Sequence, residues 1–242
     1  IKEQYDQFSD EAGMMFEGVA SGYESGEALR RRQAMRQVTI KSLVMNAAQE
    51  AGVQRVLQVS SAEISGESGG KIDEEQPAHP HSTYGASKLA IDALVQTRWR
   101  EAQCPVIALR QFNCLGERDI LHPYIIPEVI EQARWSNMIF LGNNTYRDFM
   151  YAGDAVKMAV ELLEKGVCGE VYNLGSQEGI KIYELARMIG ACMGKELVIM
   201  DDPKRKRPWD IDHLQSDNTK IYCTIDRRPE VTFEDALQRT VD

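Results

Sequence analysis

The sequence predicts an α/β fold with a doubly wound parallel sheet, and three observations predict it. Short runs rich in β-branched and aliphatic residues alternate with amphipathic stretches of helical length. Such alternation buries a parallel sheet between helices on both faces. The runs at 55–60 (RVLQVS), 106–110 (VIALR) and 170–174 (EVYNL) are short and mostly apolar, as buried strands are. Polar residues follow each run directly, and open α/β sheets bind ligands beyond the carboxyl ends of their strands.

Each element has its own signal. A helix is expected over 25–51, with Met35, Val38, Met45 and Ala48 in its apolar stripe and Gly52 placed to end it. After the strand at 55–60, the polar, Gly- and Pro-containing stretch 65–82 reads as loop. A long helix over 84–102 leads to the strand at 106–110, and 111–146 is less regular. Val156, Ala159, Val160 and Leu163 then give an i, i+3, i+4, i+7 stripe. The strand at 170–174 is followed by a second stripe of Leu185, Met188, Ile189 and Cys192, closed by Gly194. A strand at 196–200 and a helix after Thr232, whose hydroxyl can cap the first turn near Asp235, complete the chain. The ligand is therefore sought at Ser60-Ser61-Ala62-Glu63, Gln111-Phe112-Asn113 and Gly175-Ser176.

The 242 residues are 43% apolar and 27% charged, which excludes wholesale disorder. Lys and Arg number 28 against 37 Asp and Glu, and the net charge of −9 argues against gripping nucleic acid or an anionic membrane by bulk charge. No apolar run approaches the roughly 18 residues of a membrane span, and the first residues lack a signal peptide's apolar core. A soluble, cytoplasmic protein is the expectation. Five cysteines, odd in number and without a CxxC, read as reduced thiols. His79 and His81 flank Pro80 at no metal-ligand spacing, and His122 and His213 stand alone, so no metal is expected.

Tyr84-Gly85-Ala86-Ser87-Lys88 carries the sharpest chemical signal. Residues i and i+4 share a helix face, so phenol and ammonium can enter one cleft. A nearby cation favours phenolate and is expected to lower the Tyr84 pKa, making a general base for an alcohol proton. A hydroxyl from Ser60-Ser61, at the end of the preceding strand, can hold that alcohol.

These residues, with AAQEAGVQRVLQVSSAEISGE, HPHSTYGASKLAID, ALRQFNCLGERD, YRDFMYAGDAV, GEVYNLGS, KRPWD and SDNTK, give the chain a resemblance to a known family over nearly its whole length. It resembles the extended short-chain dehydrogenase/reductases that modify nucleotide sugars, the NAD-dependent epimerases and dehydratases. The resemblance implies a Rossmann-like domain over 1–112 and 148–175, and a nucleotide-sugar-binding lobe over 113–147 and 176–242. It implies Ser61, Tyr84 and Lys88 as the catalytic trio, with Tyr84 taking the proton from the sugar C4 hydroxyl as hydride passes to NAD or NADP, NAD being favoured. Cofactor contacts would come from Ala20, Ser60, Tyr84, Lys88 and Phe112. Substrate contacts would come from Ser61, Asn113, Ile126, Arg147 and Arg207, the two arginines suiting diphosphate oxygens by their planar donor forks. Arg110 is either a buried partner near the site or one half of a strand-end salt bridge. The helix at 84–102, with Leu89, Ile91, Ala93, Leu94 and Val95, implies a homodimer.

Glu63 bears on the reaction. An acidic residue two positions after the serine resembles the 4,6-dehydratases and uronate decarboxylases, where a carboxylate can remove the C5 proton once C4 is a ketone. Ala62 departs from the dehydratase pattern, which places an acid or hydroxyl there, and Ser65 replaces the usual tyrosine. The resemblance therefore leans to 4,6-dehydration, with 4-epimerase and then reductase as the alternatives, since some family ketoreductases also carry acidic residues here. The family's Gly-rich turn does not occur in this sequence, and Met14–Ser21 resembles the family's fourth strand. A longer polypeptide supplying that turn is expected; the other reading is a non-catalytic nucleotide-sugar-binding homologue.

Overall fold

The computed structural model describes residues 26–117 and 124–242. Helix α1 (Gly26–Glu50) ends at Gly52, whose φ of 70° is the left-handed turn that favours glycine. Strand β1 (Val56–Ser61) runs into a single 3-10 turn (Ala62–Ile64). Helix α2 (Thr83–Ala102) follows the long loop and leads to β2 (Val106–Gln111). With β6 (Val171–Leu174) these strands form a parallel sheet of order β1-β2-β6.

The two faces of β2 show why the strand runs are so apolar. Val106 and Ala108 pack with Met45 of α1 and Ile91 and Val95 of α2. Ile107 and Leu109 face the other way, toward Met158 and Leu162 of α4 (Ala152–Lys165) and Ile221 of α6 (Thr219–Thr224). Successive side chains alternate faces, so a strand between helix layers must be apolar at both.

The remaining elements build a second core. Strand β5 (Tyr146–Tyr151) pairs in parallel with β3 (Asn113–Leu115) and β9 (His213–Leu214), and antiparallel with β7 (Gly179–Lys181). Strands β4 (Met138–Leu141) and β8 (Val198–Asp201) form a separate parallel pair. Helices α3 (Ile125–Trp135), α5 (Ile182–Cys192) and α7 (Phe233–Val241) close this core around Leu115, Ile126, Phe149 and Leu185. The adjacent Phe149 and Met150 of β5 enter different cores.

Two sequence expectations are corrected here. The less regular stretch 111–146 contains β3, α3 and β4. Pro127 sits at the third position of α3, inside the first turn, where its missing N–H costs nothing. On α4 the buried face is Ala155, Met158 and Leu162, while Val156 and Val160 of the expected stripe are 62% and 52% exposed. Both sets fit the helical period, and packing against β2 selects the first. The Thr232 cap is present, its hydroxyl accepting from the Asp235 N–H at 3.2 Å. Among the described residues no helix is long and apolar enough to cross a membrane, and no cluster of side chains could hold a metal ion.

Candidate active site

A cavity of about 720 Å³ opens at the carboxyl ends of β1 and β2. It brings together Ser60, Ser61, Glu63, Tyr84, Lys88, Phe112, Asn113, Ile126, Arg147 and Arg207, all of which the sequence singled out. Ala20 lies outside the described residues. Gly175 and Ser176 do not line the cavity. Both oxygens of the buried Asp148 carboxylate bind this turn: Ser176 donates its N–H at 2.6 Å and its hydroxyl at 2.7 Å, and Gln177 its N–H at 3.1 Å. Ser216 donates two further hydrogen bonds to the same carboxylate, from its N–H at 2.9 Å and its hydroxyl at 2.6 Å. Asp148 is thus the anchor between β5, the end of β6 and the segment after β9, a role the sequence analysis missed.

The β1–α2 side of the cavity is built from local geometry. Ser82 caps α2 by accepting the Gly85 N–H at 3.0 Å, and its hydroxyl donates to Glu63 Oε2 at 3.1 Å. One serine therefore fixes both the start of the helix and the Glu63 carboxylate. Gly85 permits the close approach: a Cβ there would stand 2.8 Å from the Glu63 carbonyl oxygen. Ser61 Oγ accepts the Glu63 N–H at 3.3 Å and lines the same cavity as the Tyr84 phenol. Lys88 Nζ lies 5.5 Å from the Tyr84 ring centroid and donates to the Val59 carbonyl at 3.3 Å.

The expected lowering of the Tyr84 pKa is not what the chain produces. Burial raises it, Ser61 opposes that rise, and the Glu63 carboxylate adds to it. The sequence argument weighed only the cation; the fold also places the phenol against a carboxylate and partly out of water. Burial and Lys41 of α1 lower the Lys88 pKa, and Asp92 raises it.

The opposite wall comes from loops. Arg147 is part-buried, with NH2 on Asp210 Oδ1 at 2.7 Å and NH1 donating to the carbonyls of Tyr146 and Ile211 at 2.8 and 2.7 Å. Its guanidinium is committed to the protein on two of its three nitrogens, so it is less free than the sequence suggested. Burial lowers its pKa, and Asp210 and Glu63 oppose that. Arg207 is exposed, fixed through its backbone N–H to Asn143 Oδ1 at 2.8 Å. Asn113 Nδ2 donates to the Asp148 carbonyl at 3.1 Å, which uses one of its two N–H groups. Tyr124 and Trp209, both exposed, also line the cavity and were not singled out from sequence. Arg110 is a salt-bridge residue, its Nε 2.8 Å from Asp92 Oδ2 with both side chains buried.

The sequence profile of the NAD-dependent epimerase/dehydratase family matches residues 8–175, more than half of the chain. The chain belongs to this family. Relatives include the dTDP-D-glucose 4,6-dehydratase of Mus musculus, 28% identical over 211 residues that cover 83% of this chain and 58% of that protein. The GDP-6-deoxy-D-mannose reductase of Pseudomonas aeruginosa is 28% identical over 199 residues, covering 75% of this chain and 63% of the reductase. The chain thus spans about three fifths of the length of these relatives. Among solved structures, the dTDP-glucose 4,6-dehydratase of Bacillus anthracis in complex with NAD superposes with a TM-score of 0.74 at 26% identity, covering 83% of this chain and 65% of that one. The Pseudomonas aeruginosa protein RMD complexed with NADPH gives a TM-score of 0.78 at 25% identity, covering 91% and 77%. Membership in the family accounts for the parallel sheet and for a cavity at its carboxyl edge.

Proposed function

We propose that this chain carries the catalytic and nucleotide-sugar-binding parts of an NAD(P)-dependent nucleotide-sugar epimerase/dehydratase that works through oxidation at sugar C4 and favours 4,6-dehydration. One observation carries the reading: Ser61, Tyr84, Lys88 and a held Glu63 carboxylate line a single cavity. Tyr84 removes the C4 hydroxyl proton while Ser61 holds that oxygen. Glu63 then takes the C5 proton, made acidic by the neighbouring ketone, and the C6 hydroxyl, protonated from solvent, leaves as water. Arg207 and the remaining N–H groups of Arg147 and Asn113 face the diphosphate, with Ile126 beside the base.

The residues fit a nicotinamide dinucleotide, because Ser60, Lys88 and Phe112 line the cavity where β1 and β2 end. When bound, the dinucleotide would accept the C4 hydride and, in the dehydratase reading, return it to C6, NAD being favoured over NADP. Lys88 would hold its ribose. The two-domain division proposed from sequence, 1–112 with 148–175 and 113–147 with 176–242, belongs to the same reading. So does a homodimer through α2, the helix that pairs with its copy in the sequence reading.

A 4-epimerase is the second reading, favoured by one feature: Ala62 offers no acid for the leaving hydroxyl. Glu63→Gln separates the two. Under the dehydratase reading the variant oxidises C4, seen as reduced nicotinamide absorbance, but releases no water. An equally active variant removes Glu63 from the mechanism. The free Tyr84 phenol is the less basic-ready form below its raised pKa. Turnover should therefore climb with pH and fall again where Lys88, whose pKa is lowered, loses its proton.

A further inference from the structure

The loop after β8 holds an indole that the folded chain leaves uncovered. Arg207, Pro208, Trp209 and Asp210 form a tight turn, closed by the Asp210 N–H donating to the Arg207 carbonyl at 3.1 Å. Proline at the second position of such a turn sets its φ in advance. Both ends are anchored. The Asn143 side chain binds the Arg207 backbone twice, Oδ1 accepting its N–H at 2.8 Å and Nδ2 donating to its carbonyl at 3.2 Å. At the other end Asp210 Oδ1 accepts from Arg147 NH2 at 2.7 Å, and Arg147 NH1 donates to the Ile211 carbonyl at 2.7 Å. Trp209, in the turn itself, lines the cavity and is nevertheless 61% exposed. Among the described residues no aromatic ring packs on it. A large apolar ring facing water adds little to folding, but on a fixed turn it is available to a ligand at small entropic cost.

We infer that Trp209 is the platform on which the nucleobase of the substrate stacks. This role rests on the nucleotide-sugar reading and adds to it the side chain that grips the base. In that reading the hexose lies at Ser61, Tyr84 and Glu63 on the β1–α2 wall, and the arginines of the facing wall meet the diphosphate. Hexose and base stand at opposite ends of a nucleotide sugar, so the base falls on the arginine side of the cavity. Trp209 is on that side, in the same turn as Arg207 and next to Asp210, the partner of Arg147. A flat base gains from lying on an indole face, and such stacking tolerates every base because each has a π-face. Ile126, 2% exposed, gives the base an apolar neighbour but no plane. One turn thus carries a cation for the diphosphate and a ring for the base.

The test needs binding alone. Full-length protein is titrated with UDP, dTDP, GDP and CDP in saturating NAD, which keeps these nucleotides out of the dinucleotide site. The ligand of the panel that binds most tightly should quench tryptophan emission in wild type, and that quench should be absent from saturated Trp209→Leu. By calorimetry, Trp209→Leu should weaken the same ligand roughly ten- to a hundred-fold and leave inorganic pyrophosphate, which has no base, unchanged. Trp209→Phe keeps a ring and should recover most of the loss. Unchanged nucleotide affinity in Trp209→Leu overturns the inference, because no base then rests on the indole. An equal loss for pyrophosphate also overturns it, because Trp209 then serves only the turn. Failure of wild type to bind any nucleotide of the panel would overturn the nucleotide-sugar reading and this role with it, whereas binding without turnover leaves the role standing.

Discussion

The two walls of the cavity are built on different principles. The β1–α2 wall gathers Ser61, Glu63, Ser82, Tyr84 and Lys88 within one strand, one turn and one helix start, joined by short-range hydrogen bonds. The facing wall depends on Arg147 of β5 meeting Asp210, 63 residues away, and on Arg207 carried by the loop after β8. Chemistry needs reacting groups within a few tenths of an ångström, which a single capped helix supplies. Binding a flexible diphosphate tolerates cations on loops, provided they are charged and near.

The largest effect should come from breaking the local wall at its centre. Tyr84→Phe removes the proposed general base but little volume, so turnover of a nucleotide sugar should fall on the order of 10²–10⁴-fold with binding nearly unchanged. Steady-state kinetics with a parallel calorimetric titration reads both quantities. Full turnover in the variant would remove the phenol from the mechanism.

The loop wall should respond differently at its two arginines. Arg207→Ala deletes an exposed cation whose side chain supports nothing else shown, so nucleotide diphosphate affinity should weaken roughly ten- to a hundred-fold with Tm unchanged. Arg147→Ala also leaves Asp210 and the Tyr146 and Ile211 carbonyls without their donor, so Tm should fall as well. Thermal melting with and without UDP distinguishes them, and identical behaviour would mean the two arginines are equivalent.

The smallest effect concerns another long-range tie, outside the cavity. Lys165 first, and then the backbone N–H groups of Asp226 and Arg227, hold the Glu161 carboxyl down at about 2 from an ordinary 4.5. A carboxyl depressed in the folded state stabilises it above its unfolded pKa and loses that contribution as pH falls through the folded one. The Tm gap between wild type and Glu161→Gln should therefore be present at neutral pH and close between pH 4.5 and 2. A gap independent of pH would assign it to packing.

What the sequence made legible follows the same division. Helices α1, α2 and α5, the three sheet strands and the Thr232 cap were readable because each rests on local periodicity or capping. That Ser61, Tyr84 and Lys88 share one cavity was readable because they lie close in sequence on adjoining elements, while Glu63 was singled out through the family resemblance. Helix α3 was legible in principle, since Ile126, Val129, Ile130 and Ala133 keep helical spacing, but Pro127 masked it. The buried face of α4 was not, because Val156 and Val160 compete with Ala155 and Met158 and only the neighbouring sheet decides. The Asp148 anchor and the Arg147–Asp210 pair join residues tens of positions apart, and no local pattern announces them. The direction of the Tyr84 pKa depends on burial and on Glu63, which spacing alone does not report.

The central claim is that Tyr84 and Glu63 act in turn on one nucleotide sugar. Proton NMR in D2O tests it most directly, with the full-length protein, NAD and a panel of UDP-, dTDP-, GDP- and CDP-sugars. The account predicts a 4-keto-6-deoxy sugar product carrying solvent deuterium. Inversion at C4 without deuterium would contradict the role of Glu63, and an unchanged spectrum for every sugar would contradict the catalytic reading as a whole.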